Sequence, residues 1–301
     1  MDVLAAGNPP SALEVSVAER RAGLSELMKL SGPAAAVSRV DDRSVQGAQG
    51  AIRIRAYTPL EAPEELSPGL LYFHGGGLIA GTIDTHDSIA RALAQAGACR
   101  VVSVDYRLAP ENPFPASLDD ALAVVEHVRG RAADFGIDAA RLGICGDSAG
   151  GTLAAVTCQT MARAGVPPLA LQLLLCPILD YGRRGGSRLQ FGSGYLVDQA
   201  TLEHDLRHYA PAGMNPDDPR ISPLRAADLS GLPRTIIHTA EFDPLRDEGE
   251  DYFNRLTPTG AAVSYTCHAG MIHLFYGLGA VIPYARVAFE QIGAQLRAEL
   301  H

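Results

Sequence analysis

Tryptophan is missing from this chain, so any aromatic wall around a ligand must come from its 8 phenylalanines or 10 tyrosines. Cysteine is sparse. The five, Cys99, Cys145, Cys158, Cys176 and Cys267, are scattered and form no C-x-x-C pair. An odd, dispersed set suits buried thiols in a reducing compartment better than a disulfide framework or a zinc site, so no metal is expected. Basic charge is short too: 25 Lys and Arg stand against 34 Asp and Glu, for a net charge of −9. That balance repels phosphate, and no nucleic-acid partner is expected. No run approaches ~18 consecutive uncharged apolar residues, so no membrane span is expected. The opening MDVLAAGNPP has no basic stretch and no long apolar one, and does not read as a signal peptide. These absences point to an acidic protein of the cytoplasm.

What is present is material for a core. Hydrophobic residues make up 47% of the 301 and charged residues 20%, which excludes disorder as the main state. The spacing of Leu13, Val17, Leu24, Leu27, Met28 and Leu30 predicts a helix within 11–30, stopped by Ser31-Gly32-Pro33. Val37–Arg43 and the alternating Ile52–Tyr57 read as a hairpin around a loop at Gln46–Gly50, and Pro59–Pro68 as a surface loop. Short apolar strands then alternate with amphipathic helices. The strands are Leu70–Phe73, Arg100–Asp105, Arg141–Cys145, Leu169–Cys176, Arg234–Thr239 and Ala262–Cys267. The helices are 85–97, 115–131, one from the glycines at 146–151 to about Ala164, 246–256 and 283–299. Such alternation means an α/β fold, a mostly parallel sheet covered on both faces. Residues 1–35 and 181–222 do not fit the alternation and are expected to lie over one end of the sheet.

Gly146-Asp147-Ser148-Ala149-Gly150-Gly151 matches G-x-S-x-G between a strand and a helix. A sharp strand-to-helix turn exposes the serine at the carboxyl end of the sheet, and the helix N-terminus faces any developing anion. His74-Gly75-Gly76-Gly77 follows another strand, and its glycines leave backbone N–H groups free to point into a cavity. Two of them, with the N–H of Ala149, would make an oxyanion hole. No Lys-Ser/Thr follows, which disfavours a phosphate loop. His74 itself precedes the turn and reads as structural.

A nucleophilic serine needs a base, and the base an orienting carboxylate. Of nine histidines, His273 in Gly270-Met271-Ile272-His273 is best placed, after the last strand. His268 is its rival, and His238 reads as a core residue. Asp243 follows the strand Arg234–Thr239, with Asp247 and Glu241 as rivals. Ser148, Asp243 and His273 then follow successive strands in the chain order of an α/β-hydrolase triad. His204 and His208, beside Glu203, lack the H-E-x-x-H pattern and read as a solvated helix face. Arg183, Arg184 and Arg188 read as surface charges.

HGGG at 74–77, VVSVDYRLAPE at 101–111, GDSAGG at 146–151, DPLRDEG at 243–249 and GMIH at 270–273 carry a resemblance. In that order, and over about residues 50–300, the chain resembles the hormone-sensitive-lipase family of bacterial esterases. The resemblance implies an α/β-hydrolase fold: a mostly parallel sheet of about eight strands, helices on both faces, and a helical cap. It divides the chain into a cap segment at 1–35, core at 36–180, a cap insertion at 181–222 and core again at 223–301. It implies hydrolysis of a small carboxylic ester of short to medium acyl chain through an acyl-enzyme, with no cofactor. It assigns the nucleophile to Ser148, the acid to Asp243, the base to His273 and the oxyanion donors to Gly75, Gly76 and Ala149, with Gly77 as the remaining glycine. It suggests a homodimer through the last strand and helix. Leu78, Met28, Leu30, Phe191, Leu196 and Leu274 are expected around the substrate pocket. Leu78 stands where the family often has an aromatic residue, and Leu274 where it often has glycine. An amidase or lactonase with the same triad is the rival enzyme. A non-catalytic receptor related to the family would lack the histidine that stands here at 273.

Overall fold

In the computed structural model, residues 13–62 and 65–301 are described. Positions 1–12 of the expected cap segment and 63–64 of the expected surface loop lie outside them. The strands are β1 (Arg39–Gly47), β2 (Gly50–Thr58), β3 (Ser67–Phe73), β4 (Arg100–Val104), β5 (Ile137–Asp147), β6 (Leu171–Leu175), β7 (Arg234–Phe242) and β8 (Val263–Ile272). The α-helices are α1 (Val17–Met28), α2 (Asp87–Gly97), α3 (Ala116–Gly130), α4 (Ala149–Arg163), a single turn α5 (Ser187–Gln190), α6 (Gln199–Tyr209), α7 (Arg246–Leu256) and α8 (Tyr284–Leu300).

One eight-stranded sheet runs β1-β2-β4-β3-β5-β6-β7-β8. β1 pairs with β2 and β2 with β4 antiparallel, and all other pairings are parallel. The hairpin is tighter than its sequence suggests. β1 runs on to Gly47, opposite Gly50, because each added residue gains a partner on β2. Every residue of β3 and β6 is buried, which requires cover on both faces. α2 and α8 pack together on one face. α3, α4 and α7 cover the other, where Gln159 on α4 donates to Tyr252 on α7 at 3.3 Å.

The parallel strands bring their carboxyl ends to one edge, and there the two unassigned segments meet. α1 opens on a capping box: Ser16 Oγ accepts from Glu19 N–H at 3.2 Å, and Glu19 accepts from Ser16 N–H at 2.7 Å. Arg21 then pins α1 to the core, donating to the Ile79 and Ala109 carbonyls and to Glu111. No helix of the described residues is long and apolar enough to cross a membrane.

Candidate active site

Ser148 sits between β5 and α4 with φ 53° and ψ −120°. A non-glycine residue there carries strain of about 1–3 kcal/mol and persists only where its surroundings over-determine it. Here they do. Ser148 N–H donates to the Leu175 carbonyl at 2.9 Å, and its own carbonyl accepts from Gly151 at 3.0 Å and Ile178 at 3.1 Å. The flanking glycines are steric requirements. A Cβ on Gly146 would collide with the Gly150 carbonyl, and one on Gly150 with the Phe73 carbonyl.

Three loops from three strands converge on the serine. Ser148 Oγ lies 3.0 Å from His273 Nε2, and His273 Nδ1 lies 2.8 Å from Asp243 Oδ2. A carboxylate only accepts, so Nδ1 carries the proton and Nε2 presents a lone pair to the serine hydroxyl. The other oxygen, Asp243 Oδ1, accepts from Leu245 N–H at 2.8 Å. Asp243 is fully buried and His273 nearly so. Beside them, burial and the Asp243 carboxylate push the Cys176 thiol well above its ordinary range, so it is inert as a nucleophile. Cys176, Asp243 and His273 are the only His, Cys, Asp or Glu cluster of metal-ligand spacing among the described residues.

The rivals are engaged elsewhere. His268 Nε2 meets His238 Nδ1 at 2.9 Å, and its Nδ1 meets Tyr284 Oη at 3.2 Å. His238 Nε2 meets Gln295 at 2.8 Å. Glu241 accepts from Gly270 N–H, and Asp247 from Ser187 N–H, both at 2.7 Å.

The HGGG segment departs from expectation at its first glycine. Gly75 N–H donates to Asp147 Oδ1 at 2.9 Å and is withdrawn from any oxyanion hole. Asp147 Oδ1 also accepts from Tyr72 Oη at 2.6 Å. Gly76 and Gly77, by contrast, line the cavity beside Ser148, and their N–H groups meet no acceptor among the described residues. Beneath the loop, His74 donates from Nδ1 to the Gly75 carbonyl at 2.8 Å and stacks between Tyr106 and His86. Burial pushes both His74 and His86 down to about 4, and raises the Asp147 carboxyl. Asp147 Oδ2 and His86 Nε2 lie 3.8 Å apart, each without a hydrogen-bond partner among the described residues.

The cavity over Ser148 measures about 150 Å³. Of the six side chains expected around it, Leu196 and Leu274 line it. Leu78 is buried in the core, where its carbonyl accepts from Ala109. Met28 packs toward Gly277, and the Leu30 carbonyl holds Ala280 N–H at 2.9 Å. Phe191 meets the Tyr195 and Phe242 rings edge to face, under Arg246. The places expected for Met28 and Leu30 are taken by Leu24 and Leu27, with Arg20 on the same face. That face was readable from the spacing, since positions 20, 24 and 27 share one side of a helix. Ile178, Val197, Thr201, Leu202 and Asp205 complete the wall without any motif to announce them.

Two polar expectations also change. Arg188 is buried, not a surface charge: Nε donates to Glu248 at 2.7 Å and Nη2 to the Asp180 carbonyl at 3.1 Å. Glu248 also accepts from Leu179 and Asp180 N–H, so the pair fixes the chain that leaves β6. His204 is buried rather than solvated, between Asp205 and the Val15 carbonyl, with His208 against its ring.

Comparison with known proteins bears on the family and the fold. A family model described as alpha/beta hydrolase fold matches residues 70–277. The carboxylesterase NlhH of Mycobacterium tuberculosis is 39% identical over 269 residues, covering 87% of this chain and 83% of its own length. The ethyl acetate hydrolase of Pseudomonas putida is 36% identical over 295 residues, 97% of this chain and 92% of its own. A solved ester-hydrolase from the metagenome of Lake Arreo superposes with a TM-score of 0.95 at 39% identity, covering 99% of this chain and 95% of that one. The chain belongs to the α/β-hydrolase fold family, among its carboxylic ester hydrolases of the hormone-sensitive-lipase type.

Proposed function

We propose that this chain hydrolyses carboxylic esters of short acyl chain through a covalent acyl-enzyme on Ser148. The observation that carries the reading is the continuous path from Ser148 Oγ to His273 to Asp243, at 3.0 and 2.8 Å. His273 Nε2 takes the hydroxyl proton as Oγ attacks the ester carbonyl, and Asp243 holds the imidazolium that forms. The N–H groups of Gly76, Gly77 and Ala149 receive the oxyanion, each worth about 3–4 kcal/mol in the transition state. Collapse of the tetrahedral adduct breaks the bond to the alcohol oxygen, which leaves with the proton from His273. Water then repeats the sequence on the acyl carbonyl and frees the acid.

α1 and the 181–222 segment act as the cap. Their Leu24, Leu27, Leu196, Val197 and Leu202 present aliphatic surface to the acyl group. The cavity they border is small, about 150 Å³. That room suits acyl chains of a few carbons. The test is hydrolysis of p-nitrophenyl esters from acetate to palmitate by wild type and Ser148→Ala. Activity that peaks at acetate to butyrate and vanishes in the variant is expected. A folded wild type inert on every ester overturns the reading.

A further inference from the structure

One charged pair in the cavity wall has no part in that reaction scheme. Arg20 on α1 donates from Nε and Nη2 to the two carboxylate oxygens of Asp205 on α6, at 3.3 and 3.0 Å. Asp205 is 4% exposed and Arg20 18%. His204 Nδ1 lies 3.1 Å from Asp205 Oδ1, and no other titratable or charged side chain pairs with this carboxylate among the described residues. Both Arg20 and Asp205 line the cavity that holds Ser148 and His273.

The position of Asp205 is what makes the pair consequential. A Cβ on Gly77 would collide with Asp205 Oδ2, so the carboxylate rests on the α-carbon of a proposed oxyanion donor. Negative charge there opposes the negative charge that builds on the substrate oxygen, in a site sheltered from water where such repulsion is strong. A guanidinium locked on both carboxylate oxygens cancels that field. We infer that Arg20 is a positioning residue of the ester hydrolysis, tying the cap to the HGGG loop through Asp205 and neutralising Asp205 beside the oxyanion hole. The inference rests on the proposed esterase activity and adds an electrostatic role for the cap.

The test uses kcat and KM on p-nitrophenyl butyrate, with a thermal melt of each variant. Arg20→Met strips Asp205 of its guanidinium and leaves it only the His204 imidazole. It is expected to lower kcat about 30-fold or more, with KM within about threefold, as one uncompensated charge near the transition state would. Asp205→Asn breaks the same tie but removes the charge, and is expected to lower kcat no more than about fivefold. The double variant Arg20→Met/Asp205→Asn should recover to the level of Asp205→Asn. Both single variants should lose similar Tm, since both lose the tie. Arg20→Lys keeps the charge without the fork and should stay within about fivefold of wild type, which preserves the test if Arg20→Met does not fold. Equal kcat losses in Arg20→Met and Asp205→Asn, with no recovery in the double variant, overturn the inference, because a mechanical tie alone behaves that way. So does an Arg20→Lys as impaired as Arg20→Met. A wild type without ester hydrolysis sinks the esterase reading instead.

Discussion

Below Ser148 and above it, the cavity wall is held in two different ways. The floor is backbone and buried polar groups: the strained serine, glycines pressed against carbonyls, Asp147 on the HGGG loop, and the Arg188–Glu248 pair behind. Its framework is tied by hydrogen bonds: Ser148 through its N–H and carbonyl, Asp147 through Tyr72 and Gly75, and Asp243 through His273 and Leu245. The roof is aliphatic side chains from α1 and the 181–222 segment, hung on two arginines of α1: Arg20 on buried Asp205 and Arg21 on exposed Glu111. The contrast separates two jobs. The floor must hold reacting atoms within tenths of an ångström, whereas the roof need only exclude water and limit length.

If that contrast holds, acid should attack the floor first and produce the largest effect. Burial holds the folded-state values of His74 and His86 at about 4 and of His238 at about 3. The unfolded chain protonates these imidazoles below about 6.5, where the folded chain does not. Their stabilisation is therefore complete above about 6.5 and is lost as pH falls toward 4 and then 3. Each such group steepens the loss of stability in that window. Asp147 and Glu248, whose carboxyls burial raises, oppose this. Urea unfolding at pH 7.5, 6 and 5 should show a steep decline. A flat profile would mean that these sites take up solvent and protons freely, and the floor would be no tighter than the roof.

Next in size is Asp243→Asn. An amide in place of the carboxylate can favour the wrong imidazole tautomer, and kcat should fall about 10⁴-fold with Tm little changed. Arg188→Met strands Glu248 in the interior and should cost about 3–5 kcal/mol in denaturant unfolding. Leu24→Ala in the roof should cost about 2 kcal/mol. Its more telling effect is on selectivity, moving the preferred ester toward longer chains in the p-nitrophenyl series. An unchanged profile would remove the roof as the length gauge. Smallest is Glu111→Gln at the rim. Arg21 holds that carboxyl down at about 2, yet both side chains are well exposed, and about 0.5 kcal/mol or less is expected.

The same division governs what the sequence discloses. Floor residues come as motifs because turns with positive φ and close backbone contacts admit few residue types. Ser148, Asp243 and His273 could be named from G-x-S-x-G and from loops that follow strands, and β3, β4 and β6 from their apolar runs. A glycine string does not say which N–H faces the cavity: the Gly75 N–H is taken by Asp147, the residue before Ser148. The roof has no such constraint. Leu24 and Leu27 could be reached by extending the helical spacing, but Asp205, Thr201 and Val197 are ordinary residues placed by tertiary packing. Arg188 reads as a surface charge in the sequence because its buried partner, Glu248, lies far along the chain on α7.

The cysteines carry a practical consequence. Cys99, Cys145, Cys158 and Cys176 are buried, and Cys267 on the edge strand β8 is exposed. A maleimide dye or a thiol-reactive resin should therefore attach at one point under native conditions. β8 ends at Ile272, next to His273, so a probe at Cys267 sits on the strand that leads into His273. Immobilised through that thiol, every molecule on a support would be oriented alike.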